Sequence, residues 1–205
     1  DHAYLYNDEN QKHTCYRITK NWHCNYKIID RPSDRYKMFK NDDLQEWSNQ
    51  KNGHILICPP SFFIQVFDNQ FNWLENTINI IKKSTDRKIV IREKPSSEKL
   101  FESVHKKYIR LNENYSNNSL DEDLKNAWCV VTYNSMVSID ALVKGIPVFT
   151  DSKMCVAYEM SNKSFDKIES PYYPDKRQEF LNHLGYSQFT IEEMASGRAY
   201  EILNN

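Results

Sequence analysis

Glycine-rich nucleotide-binding loops are missing from this sequence, which has only 4 glycines among its 205 residues. Because no Gly-x-Gly-x-x-Gly motif, Walker loop or Gly-x-Ser-x-Gly elbow occurs, standard dinucleotide binding is poorly supported. The formal net charge of −1 provides no basic excess, which argues against general nucleic-acid binding. No apolar run approaches the roughly 18 residues of a membrane span, and neither a signal peptide nor a lipidation motif is found.

The cysteines do not form a disulfide framework, because their number is odd and their spacing is irregular. We therefore expect free thiols and a reduced, cytoplasmic setting. Adjacent His23 and Cys24 would be strained as a chelating pair, so no metal site is predicted although His13 lies nearby. The five cysteines are Cys15, Cys24, Cys58, Cys129 and Cys155.

Short apolar runs alternate with helical periodicity through residues 51–151, which predicts a doubly wound α/β domain with a parallel sheet. The strand segments are continuously apolar, as strands buried on both faces require. Strands are predicted near residues 55–58, 88–92, 108–111, 128–132 and 146–149, and helices near 71–81, 100–108, 120–124 and 136–143.

Capping residues mark several helix boundaries. Ser119 with Glu122 matches a capping box, and Gly145 is expected at the C′ position after its helix. Thr190 and Glu193 form a second capping box, at the start of the later of two terminal helices. These terminal helices are predicted near residues 174–184 and 190–203, with Met194, Ile202 and Leu203 buried in the second.

Residues 1–50 show no sustained period and are predicted to be an irregular N-terminal segment, a candidate remnant or linker of an upstream domain. Within it, residues 16–19 form a candidate strand without an assigned partner. Residues 51–205 are predicted to form one Rossmann-like α/β domain with C-terminal helices. Because the chain begins at Asp1 rather than at methionine, further sequence upstream is expected.

One candidate ligand site lies after the fourth predicted strand. In a doubly wound sheet, ligands bind at the carboxyl ends of strands near the reversal of strand order. Asn134 and Ser135 lead directly into a helix whose first N–H groups suit a phosphate, and Ser135 adds a hydroxyl donor. Asp140, about one turn further, can accept hydrogen bonds from a ribose or sugar. An ordinary N-cap at Asn134 or Ser135, with Asp140 as an exposed helix residue, remains the alternative.

Two cations flank the end of the second predicted strand. Arg92 and Lys94 can neutralise a diphosphate there. The alternative is a solvated strand end with a local Arg–Glu pair. Ser61, just beyond the prolines that end the first predicted strand, belongs to the same edge of the sheet and is also assigned to substrate binding.

The segment 134–148, NSMVSIDALVKGIPV, resembles the nucleotide-sugar-binding half of GT-B glycosyltransferases. In those enzymes a serine-rich strand end opens a helix, an acid follows, and the segment closes as A-L-x-x-G-x-P-V. The likeness is to bacterial capsule Kdo transferases and CDP-glycerol glycerophosphotransferases in particular. Residues 91–95, IREKP, also resemble the strand-end R-x-H-P of those families, with Lys94 in place of the histidine.

This resemblance implies that Ser135 and the amide of Met136 bind the donor's phosphates and that Asp140 binds the nucleotide ribose, while Arg92 and Lys94 supply charge. The implied reaction transfers a sugar or glycerophosphate from a nucleotide-activated donor to a saccharide or other acceptor, without a metal or other cofactor. A complete GT-B enzyme has an acceptor-side domain before this one. Such an upstream domain is therefore an expected partner, toward which the terminal helices would cross.

Two other functions stay open. A sugar-nucleotide epimerase on the same fold would share Ser135 and Asp140 but would need acid and base residues facing the sugar. A catalytically silent binding or assembly module would need no such residues, and Lys94 in place of the histidine favours it.

Overall fold

A computed structural model of the chain describes residues 3–7, 14–20, 27–40, 42–48, 50–94 and 114–204. The chain divides into two compact units. The central unit is Gln45–Tyr173, and the terminal unit combines Asp1–Leu44 with Pro174–Asn205. The sequence predicts one domain over residues 51–205, whereas the contacts group its last helices with the N-terminal segment.

The central unit contains most of the strands. Its elements are β2 (His54–Cys58), α2 (Phe62–Phe67), α3 (Trp73–Lys82), β3 (Ile89–Ile91), β4 (Asn114–Tyr115), α4 (Leu120–Lys125), β5 (Ala127–Thr132), α5 (Val137–Val143), β6 (Val148–Phe149) and two 3-10 turns, Tyr158–Met160 and Phe165–Lys167. The terminal unit contains β1 (Cys15–Arg17), α1 (Asp34–Phe39), α6 (Arg177–Gly185), β7 (Gln188–Thr190), α7 (Ile191–Ala195) and α8 (Arg198–Asn204).

The central unit is built on a five-stranded sheet with the order β4-β3-β2-β5-β6. All four strand pairings are parallel, which confirms the predicted doubly wound α/β architecture. From β2 the chain moves outward through β3 and β4, then returns to the other side of β2 for β5 and β6. The strand order therefore reverses between β2 and β5, the two strands at the centre.

The core of the central unit covers both faces of this sheet. Ile57 and Val131 pack with Ile81 of α3 in one hydrophobic cluster. Leu56 and Val130, the neighbours in each strand, point to the opposite face because side chains alternate along a strand, and they are fully buried too. Continuous apolar strands thus follow from burial on both faces.

The observed elements of this unit differ from the predicted ones in two places. No strand is predicted at residues 114–115, which form β4 and pair in parallel with β3. The predicted helix over residues 71–81 begins at Trp73, and Phe71 is exposed, because the chain turns through Asn69 at a positive φ of 53° before the helix. The predicted helix near 100–108 and strand near 108–111 lie outside the described residues.

The terminal unit contains an antiparallel pair of strands, β1 with β7. The capping box of Thr190 and Glu193 is present. The predicted helix over 190–203 is instead two helices, because Gly197 adopts a positive φ of 82° between them. Ile202 is buried, and Met194 and Leu203 pack against its cluster.

A buried arginine connects the elements of the terminal unit. Arg35 of α1 donates to the carbonyls of Gly185 and Gln188, at 2.9 and 2.7 Å, and pairs with the Glu193 carboxylate. This guanidinium holds the pKa of Glu193 below its usual value. The Gln188 side chain in turn accepts from the backbone N–H of Leu5, at 2.8 Å, which attaches the start of the chain.

Gly145 follows α5, as the sequence predicts, and has a positive φ of 70°. A second constraint acts on it, because the backbone of the segment 45–48 passes directly over it. The N–H of Ser48 donates to the Gly145 carbonyl at 2.7 Å, and a β-carbon at Gly145 would lie 2.0 Å from the carbonyl oxygen of Glu46. Gly197, by contrast, has nothing within 4 Å of that position.

We expect Gly145→Ala to lower the free energy of unfolding by at least about 3 kcal/mol, because backbone strain and a backbone clash combine. Gly197→Ala carries the positive-φ cost alone and should lower it by about 1 kcal/mol. Urea unfolding followed by circular dichroism measures both. Equal losses for the two variants would contradict the close approach of residues 45–48.

Candidate functional site

The carboxyl ends of β2 and β5 lie side by side at the reversal of strand order, where doubly wound sheets bind ligands. The Thr132 hydroxyl donates to the Cys58 carbonyl at 2.9 Å and thereby joins the two strand ends. Ser61 follows β2, and Asn134, Ser135 and Met136 follow β5. The topology thus brings four of the predicted site residues to one part of the sheet edge.

A compact turn connects β5 to α5. The N–H of Ser135 donates to the Thr132 hydroxyl at 3.0 Å, and the Ser135 hydroxyl accepts from the Val137 N–H at 3.3 Å. The Ser135 carbonyl accepts from the hydroxyl of Ser138 at 2.8 Å. The Ser135 N–H is therefore occupied within the turn and is not one of the N–H groups that face a ligand. The Ser135 hydroxyl hydrogen can still donate to a ligand.

The other predicted residues around this turn are all partly exposed. Asn134, Met136 and Asp140 each keep some accessible surface, and α5 begins at Val137 with Met136 as its N-cap. Ser61 is the N-cap of α2, where its side chain makes no capping hydrogen bond and its carbonyl accepts from the Gln65 N–H at 2.9 Å.

Arg92 has a structural partner that the sequence did not indicate. Its guanidinium contacts the Asp123 carboxylate and the Asn118 carbonyl, both at 2.8 Å. Asp123 is only 2% exposed, and its carboxylate also accepts from the Ser116 hydroxyl at 2.7 Å. The ion pair at this strand end is thus formed with Asp123 of α4 and is not the local Arg–Glu pair that the sequence left open as an alternative. Lys94 is exposed at the same strand end.

Sequence reasoning missed a cluster of aromatic and acidic side chains at the same edge. The Tyr133 hydroxyl donates to Asp68, and the Trp73 indole N–H donates to Asp151 at 3.0 Å. The two rings meet edge to face, with centroids 5.8 Å apart. Burial, followed by the Asp68 hydrogen bond, raises the pKa of Tyr133 to about 12, so its hydroxyl stays a donor at neutral pH. Tyr133 and Asp151 lie just after predicted strands, at the edge where a site was expected, whereas Asp68 and Trp73 carried no such signal.

The four cysteines among the described residues are all buried. Four of the predicted free thiols are confirmed, at Cys15, Cys58, Cys129 and Cys155, whereas Cys24 lies outside the described residues. Burial raises the pKa of Cys58 to about 12, so this thiol stays protonated and unreactive at neutral pH. Within the described ranges, no group of three or more metal-ligating side chains occurs, and no helix is long and apolar enough to cross a membrane.

Comparison with known proteins gives structural neighbours alone. No protein-family model matches the chain, and no curated protein matches it. Among solved structures, it is similar to Thermosulfurimonas dismutans KpsC described as a beta Kdo 2,7 transferase, with 13% identity, a TM-score of 0.45 and coverage of 83% of this chain and 58% of that one.

A second Thermosulfurimonas dismutans KpsC structure, a beta Kdo 2,4 transferase, has 11% identity, a TM-score of 0.47 and coverage of 83% and 59%. TarM has 14% identity, a TM-score of 0.35 and coverage of 87% and 34%. The chain therefore spans less than two thirds of each of these proteins. At these values the likeness describes the course of the chain and carries no conclusion about activity or substrate.

The Arg92–Asp123 pair predicts a clear effect on stability. Arg92→Ala removes the cation from a buried carboxylate and should lower the free energy of unfolding by about 2 kcal/mol, less than for a fully buried pair because Arg92 is partly exposed. Arg198→Ala is the matched control. Its ion pair with Glu201 has both side chains 60% exposed, so the loss should stay below about 0.5 kcal/mol.

Urea unfolding of both variants provides the comparison. If Arg92→Ala proves as mild as Arg198→Ala, the Arg92–Asp123 pair does not stabilise this strand end, and Arg92 is again a candidate for ligand binding.

Proposed function

We propose that the central unit is the donor-binding part of a glycosyltransferase-like protein. Its ligand is a nucleotide-activated sugar or glycerophosphate, held at the carboxyl edge between β2 and β5. The observation that carries this proposal is the reversal of strand order between those strands, directly beside Ser61 and the Asn134–Met136 turn. The resemblance of residues 134–148 to GT-B donor-binding segments supports the same site.

In this proposal each residue of the turn has a separate task. The Ser135 hydroxyl and the Met136 N–H donate to the phosphate, and Asp140 accepts hydrogen bonds from the ribose hydroxyls. Donors fixed by the backbone stabilise the negative charge that grows on a leaving phosphate, and they do so without a metal. Lys94 supplies the mobile positive charge, since Arg92 is engaged by Asp123. An acceptor-side partner domain is part of the same proposal.

A catalytically silent sugar-nucleotide-binding or assembly module is the second candidate. It is favoured by the engagement of Arg92 with Asp123 and by the exposed Lys94 at the position where the related families have histidine. Both candidates bind a nucleotide sugar at the same turn. Release of free nucleotide in the presence of a saccharide acceptor distinguishes the transferase from the module.

A thermal-shift screen against CMP, CDP, UDP, GDP and their sugars identifies the nucleotide, because a ligand that binds only the folded chain raises its melting temperature. With that nucleotide, Ser135→Ala should weaken binding by about 1–2 kcal/mol in calorimetry, the range for a lost hydrogen bond to a charged group. Asp140→Ala should weaken binding of the free nucleoside as well as of the nucleotide, because Asp140 is assigned to the ribose.

Ser84→Ala is the matched control for these titrations. Ser84 lies between α3 and the amino end of β3, and its hydroxyl donates to the Ile80 carbonyl at 3.3 Å. The same chemical change at the opposite edge of the sheet should leave nucleotide binding unchanged. If Ser135→Ala and Asp140→Ala both bind the nucleotide as tightly as the Ser84→Ala variant, the donor site is not at this turn.

A further inference from the structure

The segment that follows β2 exposes a cluster of apolar side chains. Helix α2 has no buried residue, and Phe63, Phe67 and Phe71 are 67%, 79% and 51% exposed. Residues 62–72, which contain this cluster, are termed the aromatic loop. Exposed aromatic side chains grouped in one short segment are a candidate ligand-binding surface.

Polar groups are interleaved with these rings. The side chains of Asn69 and Asn72 are exposed within the loop. Asp68, which belongs to the loop, accepts from Tyr133, and Asp151 accepts from Trp73. Each contact uses one carboxylate oxygen, so both carboxylates keep capacity to accept hydrogen bonds from a ligand.

The charge of this surface restricts the ligand. Residues 58–81 contain no lysine, arginine or histidine, while Asp68 and Asp151 are both acidic. Within residues 58–81 a phosphate, an acidic sugar or an anionic lipid surface would meet no cation, and the carboxylates of Asp68 and Asp151 would repel it. Aromatic rings, amides and carboxylates instead match an uncharged polyol, whose CH face packs on a ring and whose hydroxyls donate to carboxylates.

We propose that the aromatic loop, which includes Asp68, binds a neutral saccharide together with Asp151. The loop begins directly after Ser61, and Tyr133, the partner of Asp68, directly precedes Asn134. The saccharide therefore lies at the same sheet edge as the candidate donor site. Its assignment as the acceptor of the transfer rests on the proposed function, whereas its binding to the loop does not.

Nuclear magnetic resonance titration of the isotope-labelled full chain tests the binding. The probes are the methyl glycosides of glucose, galactose and N-acetylglucosamine, with methyl glucuronide as the anionic match. Saturable shifts are expected for amides of the aromatic loop with at least one neutral glycoside, and weaker binding for the glucuronide. Phe71→Ala should weaken binding about fivefold to tenfold. Tyr200→Ala, which removes a ring that is 74% exposed in the terminal unit, should leave it unchanged.

Absence of saturable shifts with all three neutral glycosides overturns the proposal, and so does equal affinity in Phe71→Ala. If the parent chain self-associates and Phe71→Ala abolishes this association, the loop forms contacts between copies, and the proposal is overturned too.

Nucleotide titrations of the same variants keep the two proposals apart. If the parent chain binds no saccharide while Phe71→Ala binds the nucleotide normally, only the aromatic-loop site is rejected. If the parent chain binds a saccharide while Ser135→Ala binds the nucleotide as tightly as the parent does, only the donor site is rejected.

Discussion

Burial of both faces of the parallel sheet is the constraint on which the rest of the central unit depends. Ile57 points to one face and Leu56 to the other, and both are fully buried. With both faces occupied by apolar packing, polar ligand-binding groups are confined to the places where strands end. The hydrogen bond from Thr132 to the Cys58 carbonyl then fixes the spacing of the two central strand ends, and with it the frame of the candidate site.

The edge above these strand ends carries two kinds of chemistry. Hydroxyl and amide groups of Ser61 and the Asn134–Met136 turn suit a phosphate and a ribose. Carboxylates and rings gather beside them, where Tyr133 holds Asp68. Hydrogen-bond donors attract an anion, whereas carboxylates repel one. The turn and the neighbouring aromatic and acidic cluster therefore suit different ligands. This division is consistent with the proposed transfer from a charged donor to an uncharged acceptor.

The sequence predicts what depends on local signals, and it fails where distant segments meet. The capping box at Ser119 was predictable because all of its partners lie within one turn. Asp123 lies 31 residues from Arg92, so no spacing rule connects them. Helical spacing places Phe71 in a buried stripe, but the turn at Asn69 moves it to the surface. Gly145 was predicted as a helix end, while the backbone of Glu46 that crosses it comes from a segment without any periodic signal.

The central claim is that a nucleotide binds at the reversal of strand order, beside the turn at Ser135. Amide hydrogen exchange of the full chain, with and without a saturating nucleoside diphosphate, tests it most directly. The account predicts slower exchange in residues 133–137 and around Ser61, with no change at Ser84 near the amino end of β3. Protection confined to the amino edge, or to the terminal unit, would contradict the assignment of the donor site.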